Sequence, residues 1–127
     1  MPRYIISLGS NIQSGATEIQ TAIEWLAGLS ELIASTPVYS TPDAYDATKP
    51  CYANAIAVIS CRLDAEKLTV SLKEYEASRG RVAGSKEVVI DLDLVCRETE
   101  ILRHRDYSAP YFVEGLYLLT SGGIFNR

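Results

Sequence analysis

At 127 residues the chain has room for one domain around one core. A formal net charge of −4 argues against a general nucleic-acid binder, which carries a basic excess, while leaving room for a local arginine cluster that holds an anionic ligand. No apolar run approaches 18 residues and the N-terminal run is too short for a signal peptide, so neither export nor a membrane span is expected. The three cysteines, Cys51, Cys61 and Cys96, show no CxxC spacing. They are expected as reduced thiols of a cytoplasmic protein, with Cys61 and Cys96 in strands of the core.

Residues 3–8 (RYIISL) are apolar and β-branched and break at Gly9-Ser10-Asn11, which reads as a strand entering a loop. From Thr17 to Glu31 the apolar positions Ile19, Ala22, Ile23, Leu26 and Leu29 fall on one helical face. Residues 33–40 read as a single strand, pushed to a sheet edge or bulge by Pro37. Residues 41–50 carry two prolines and two aspartates without periodicity, and read as a loop. A long strand follows over 52–63. Asp64 then caps a second helix with the face Leu68, Leu72 and Tyr75, stopped by Gly80. Residues 87–96 (EVVIDLDLVC) form another strand, with a short one at Ile101-Leu102. The pattern from Tyr111 to Leu119 suits a helix or a strand, and the helix is taken. The order β-α-β-β-α-β predicts an α+β, ferredoxin-like layer: an antiparallel sheet with both helices on one face, plus an extra C-terminal helix. That fold hosts many functions, so function must come from a site.

In IDLDLV, Asp91 and Asp93 lie two apart on a strand and point to one face, roughly 6.5–7 Å apart at the backbone. Val88, Ile90, Leu92 and Leu94 fill the other face. Two carboxylates side by side repel unless a cation sits between them. A hard cation such as Mg²⁺, taking its other ligands from phosphates, would supply that charge. A solvated acidic face is the alternative. On the strand over 52–63, Tyr52 and Asn54 also share a face. A ring with a hydroxyl beside a carboxamide can hold a flat heterocycle by stacking and hydrogen bonding, and Thr41-Pro42 opens the loop before it. An ordinary strand start is the alternative there.

Taken in order, the fragments YIISLGSN (4–11), YSTP (39–42), YANA (52–55), GR (80–81) and IDLDLV (90–95) resemble the 6-hydroxymethyl-7,8-dihydropterin pyrophosphokinase family across most of the chain. The resemblance implies one pyrophosphokinase-like domain over 1–127, transferring pyrophosphate from ATP to the pterin hydroxymethyl group in folate biosynthesis and releasing AMP. It implies two Mg²⁺ ions on Asp91 and Asp93, with ATP as co-substrate. Arg81 joins these two as a catalytic residue and touches a phosphate. Thr41, Pro42, Tyr52 and Asn54 would bind the pterin, with Phe112 as a second stacking aromatic and Tyr111 close behind. Lys86 and His104 join Arg81 around the nucleotide, a solvated loop residue being the alternative for His104. The partners implied are the two small molecules, with no nucleic acid and no membrane, in a monomer or weak homo-oligomer.

The segment 82–90, VAGSKEVVI, departs from the family pattern: it is shorter and holds no tryptophan, proline or arginine. Val88 stands where the family has an arginine, and Pro110 or its neighbours stand where another precedes the second aromatic. Lys86, Arg103 and Arg105 are the nearby cations that would compensate. The missing arginines raise a second possibility, a catalytically weak pterin- or nucleotide-binding relative that acts as a regulator or partner protein.

Overall fold

In the computed structural model, which describes residues 1–42, 48, 51–82 and 84–121, the first apolar run becomes strand β1 (Arg3–Ser10). Its alternate side chains Tyr4, Ile6 and Leu8 are fully buried, as the period of two requires. Helix α1 (Gly15–Leu29) begins and ends two residues before the span read from the sequence and buries Ile19, Ala22, Ile23 and Leu26.

The strand expected over 33–40 is two strands, β2 (Glu31–Ser35) and β3 (Tyr39–Thr41). Both pair with β4 (Tyr52–Ser60). The break falls at Thr36-Pro37-Val38, because Pro37 has no N–H to give a ladder. Thr36 bridges the gap: its N–H donates to the Ile56 carbonyl at 2.9 Å and its hydroxyl accepts from the Ile56 N–H at 3.0 Å. Most of the expected loop, residues 43–47 and 49–50, lies outside the described residues.

Helix α2 (Ala65–Ser78) starts on Asp64, whose carboxylate accepts the Lys67 N–H at 2.8 Å. Beyond its end Gly80 takes a φ of +93°, a left-handed turn that suits glycine. The two helices lock through Trp25 stacked on Tyr75 (ring centroids 4.4 Å apart) and the Arg79–Glu18 ion pair at 2.8 Å.

Strand β5 (Asp91–Arg97) begins four residues later than the pattern suggested. Asn11 holds the preceding stretch instead. Its carboxamide oxygen accepts the Val88 N–H at 2.6 Å, and its own N–H donates to the Val88 carbonyl at 2.9 Å. Strand β6 (Glu100–Ile101), the short helix α3 (His104–Tyr107) and helix α4 (Pro110–Ser121) complete the described chain. No helix among the described residues is long and apolar enough to cross a membrane.

The sheet runs β2-β4-β1-β5-β6, with β3 also on β4, and every pairing is antiparallel. This is the expected ferredoxin-like arrangement. One face packs α1 and α2 over Ile6, Leu8, Ile59, Ile90 and Leu92. The other carries Ile56, Val58 and Val95 under Phe112 and Leu119 of α4. A Cβ at Gly115 would overlap the Ile56 Cδ1 and the Tyr39 hydroxyl, so only glycine lets α4 lie this close to β4. Cys96 is buried in β5, Cys61 is buried just past the end of β4, Cys51 is exposed, and all three are free thiols.

Candidate active site

The site is laid out by β1, the central strand. Gly9 is registered with Asn54 of β4 on one side and with Asp91 of β5 on the other; Ser7 is registered with Asp93. Residues directly opposite in a sheet share a face, so Asn54, Gly9 and Asp91 form one row, turned away from α1 and α2. A cavity of about 420 Å³ opens over this row, within the range of small-molecule sites. Gly9 forms part of its floor without a side chain to fill it.

Asn54, Tyr52, Thr41 and Pro42 stand at one end of the cavity. Asn54 is buried, and its carboxamide nitrogen donates to the Thr41 hydroxyl at 2.5 Å and to the Tyr52 carbonyl at 3.2 Å. The amide is thus held in one orientation by its own strand and by β3. Tyr39 donates to the Tyr111 carbonyl at 2.7 Å and ties β3 to the start of α4. Burial, with the charge of Glu114, pushes the Tyr39 phenol well up, so it stays a donor.

The acidic end holds Asp91 and Asp93. Burial comes first, and the Asp91 charge second, in pushing the Asp93 carboxyl from 3.8 up to about 6; Lys73 and Arg103 oppose the rise. Lys73, Arg81 and Arg103 meet the pair. The Lys73 ammonium lies 3.4 Å from Asp93 and 3.8 Å from Asp91. The Arg81 guanidinium is 3.2 Å from Asp91. Arg103 is 3.8 Å from Asp93 and also pairs with Asp106, which accepts the Tyr111 hydroxyl as well.

Lys73 and Glu76 lie one turn apart on α2 and grip one residue of β5 between them. The Lys73 ammonium donates to the Leu92 carbonyl and to Glu76, both at 2.9 Å, while Glu76 accepts the Leu92 N–H at 2.7 Å. Leu92 is the residue between the two aspartates, so this grip fixes the spacing of the pair. Burial works against the Lys73 charge, but the Glu76 hydrogen bond and the carboxylates together raise its pKa. A second cavity of about 300 Å³ lies beyond, walled by Thr69, Leu92, Leu94 and Leu102 and sharing Lys73, Asp93 and Arg103 with the first.

Of the residues singled out from sequence, Thr41, Pro42, Tyr52, Asn54, Asp91 and Asp93 line one cavity, and Arg81 bonds Asp91 at its edge. Three others lie away from both cavities. Phe112 is fully buried in the core under α4, against the ring of Tyr107, because the helical turn points position 112 inward; Tyr111 lines the cavity instead. His104 is an exposed residue at the start of α3 and lines neither cavity; Asp106, two residues on, lines the first. Lys86 is exposed and lines neither cavity, and the contact it makes is through its carbonyl, which accepts from Asn11.

Lys73, Glu76 and Asp106 were not read from the sequence as site residues. Lys73 and Glu76 look like an ordinary helical i,i+3 pair. The available signal was position: Glu76 continues the buried stripe Leu68, Leu72, where an unpaired carboxylate is costly.

Two carboxylates on one face fit Mg²⁺, which binds through one or two of them and takes its remaining ligands from phosphate and water. Two carboxylates leave most of such a cation's coordination shell to other ligands, phosphate oxygens among them.

The family model described as 7,8-dihydro-6-hydroxymethylpterin-pyrophosphokinase matches residues 5–119. The chain is 28% identical over 111 residues to the 2-amino-4-hydroxy-6-hydroxymethyldihydropteridine pyrophosphokinase of Haemophilus influenzae, an alignment covering 84% of this chain and 69% of that protein. It is 26% identical over 114 residues to proteins of the same name from Pseudomonas aeruginosa and Pseudomonas putida. Each of those alignments covers 87% of this chain, with 70% of the first protein and 94% of the second.

Proposed function

The chain belongs to the 7,8-dihydro-6-hydroxymethylpterin-pyrophosphokinase family, and from that premise we propose that its site transfers pyrophosphate from ATP to the hydroxymethyl oxygen of 6-hydroxymethyl-7,8-dihydropterin, releasing AMP in folate synthesis. It is an ATP-dependent diphosphotransferase. The observation that carries the assignment of residues is the single cavity joining the held amide of Asn54 to the carboxylate pair. Asn54 presents its carboxamide to the edge of the pterin, with Tyr52 along its face and Thr41-Pro42 closing the end. Asp91 and Asp93 hold magnesium, in two ions, which when bound neutralises the ATP phosphates and lets the hydroxyl approach them.

Arg81, Lys73 and Arg103 bring three positive charges to the phosphates, supplying near the pair what segment 82–90 lacks. The second cavity, which shares Asp93 with the first and has an apolar wall of Leu92, Leu94 and Leu102, suits the nucleoside. The proposal extends to a single domain over 1–127, a cytoplasmic location and a monomer or weak homo-oligomer. The catalytically weak binding relative is not favoured, since the family and the relatives are pyrophosphokinases by name.

The test is AMP release from ATP with the hydroxymethyl dihydropterin and Mg²⁺. Wild-type protein is expected to turn over, and Asp91→Ala or Asp93→Ala to lower kcat by roughly 10²–10³-fold or more. Turnover unchanged in both variants would refute the site; no AMP from the wild type under any magnesium concentration would refute the activity.

A further inference from the structure

The carboxylate pair assigned above to magnesium has a charge of this chain against it. Lys73 reaches around the outer edge of β5 from α2, and its ammonium stands 3.4 Å from Asp93 and 3.8 Å from Asp91. It is not a loose surface lysine. Glu76 and the Leu92 carbonyl, each at 2.9 Å, fix the ammonium, and Glu76 is itself buried and bonded to the Leu92 N–H. The carboxylate oxygens a metal would take are the ones this ammonium faces.

We propose that Lys73 is a tethered place-holder at the metal position: it neutralises the pair while no nucleotide is bound, competes with bare divalent cations, and passes to the phosphates when the metal arrives on ATP. The inference rests on the assignment of Asp91 and Asp93 as metal ligands. An ammonium within 4 Å of two carboxylates opposes a second cation by direct charge repulsion, which the half-exposed position of Lys73 weakens but does not remove. Once phosphate oxygens enter, the sign reverses. Four negative charges of the triphosphate then act on the same ammonium, which can turn toward them by rotation of the flexible lysine side chain. The cost falls on metal alone and the gain on metal with nucleotide, so the site loads them together.

The test uses Mn²⁺ as a magnesium surrogate, read by the loss of its free paramagnetic signal, so that no turnover is needed. Wild type, Lys73→Gln, Lys73→Arg and Asp93→Ala are titrated with Mn²⁺ alone and with Mn²⁺ plus a non-hydrolysable ATP analogue. Glutamine keeps a hydrogen-bonding partner for Glu76 and Leu92 without the charge. K73Q is expected to bind bare Mn²⁺ about fivefold or more tightly than wild type, and the analogue with Mn²⁺ about fivefold or more weakly. K73R, which keeps a positive charge, should stay with wild type for bare metal.

Bare-metal affinity that is unchanged or lower in K73Q, while D93A abolishes binding, overturns the place-holder alone. A gain in bare-metal affinity shared equally by K73R overturns it too, because the effect would then be one of shape. Absence of Mn²⁺ binding in every protein, with or without the analogue, overturns the metal assignment and the place-holder with it. Near-ultraviolet circular dichroism of the Trp25–Tyr75 stack shows whether each variant is folded.

Discussion

Asp93 is mostly buried beside a second carboxylate, and the sign of its effect on stability follows from the direction of its shift. Its carboxyl in the folded protein titrates near 6, above the ordinary 3.8, so folding favours the protonated acid. Ionised Asp93 therefore subtracts from stability above about pH 6, and that cost disappears as the pH falls below about 4. Asp93→Asn, neutral at every pH, is expected to exceed the metal-free wild type by roughly 1–3 kcal/mol at pH 7.5. The gap should close toward pH 4, as read by paired thermal melts. A gap that is flat in pH would contradict the burial described here. By the same linkage, affinity for the magnesium nucleotide falls as pH drops through about 6, well above the range of an exposed aspartate. The sequence shows that these two carboxylates share a face. It does not show which one is buried, since that depends on Arg103, Lys73 and the start of α4, which come from three separate elements.

At the scale of elements, local signals were enough wherever a period or a cap decided the outcome. Asp64 starts α2 as its residue type suggests, and the stripe of α1 faces the sheet. Pro37 marked a disturbance, but the sequence did not say that the strand would divide in two, because Thr36 completes the ladder with its side chain. The rotation of α4 was also out of reach. Each residue turns a helix by about 100°, so choosing Tyr111 or Phe112 for the cavity depends on where the helix touches the sheet. Gly115 settles that contact. Gly115→Ala would force its new methyl into Ile56 and the Tyr39 hydroxyl, and is expected to cost about 1–3 kcal/mol in urea denaturation with an unchanged m-value. An unchanged midpoint would mean α4 does not sit as tightly on β4 as described.

In the molecule as a whole, one sheet separates two cores, and the cavity occupies the part of the α4 face that α4 leaves uncovered. Its walls come from β1, β3, β4, β5, α2, α3 and α4, so a ligand there braces most of the fold at once. The magnesium ATP analogue at 100 times its dissociation constant should add about 2.7 kcal/mol, raising the melting temperature by roughly 5–15 °C. The rise should vanish in the Asp91→Ala, Asp93→Ala double variant. A full rise in that variant would place nucleotide binding elsewhere.

The row of Asn54, Gly9 and Asp91 across three neighbouring strands also acts as a gauge. Strands lie about 4.8 Å apart, so Asn54, proposed to read the heterocycle, and Asp91 are anchored roughly 9–10 Å apart by main-chain hydrogen bonds alone. No side-chain rotation alters that interval. A pterin whose hydroxyl sat one methylene further from its ring would overshoot by about 1 Å, an error that can cost on the order of 10²-fold in rate. On the proposed assignment, the backbone of β1 would select the acceptor by its length.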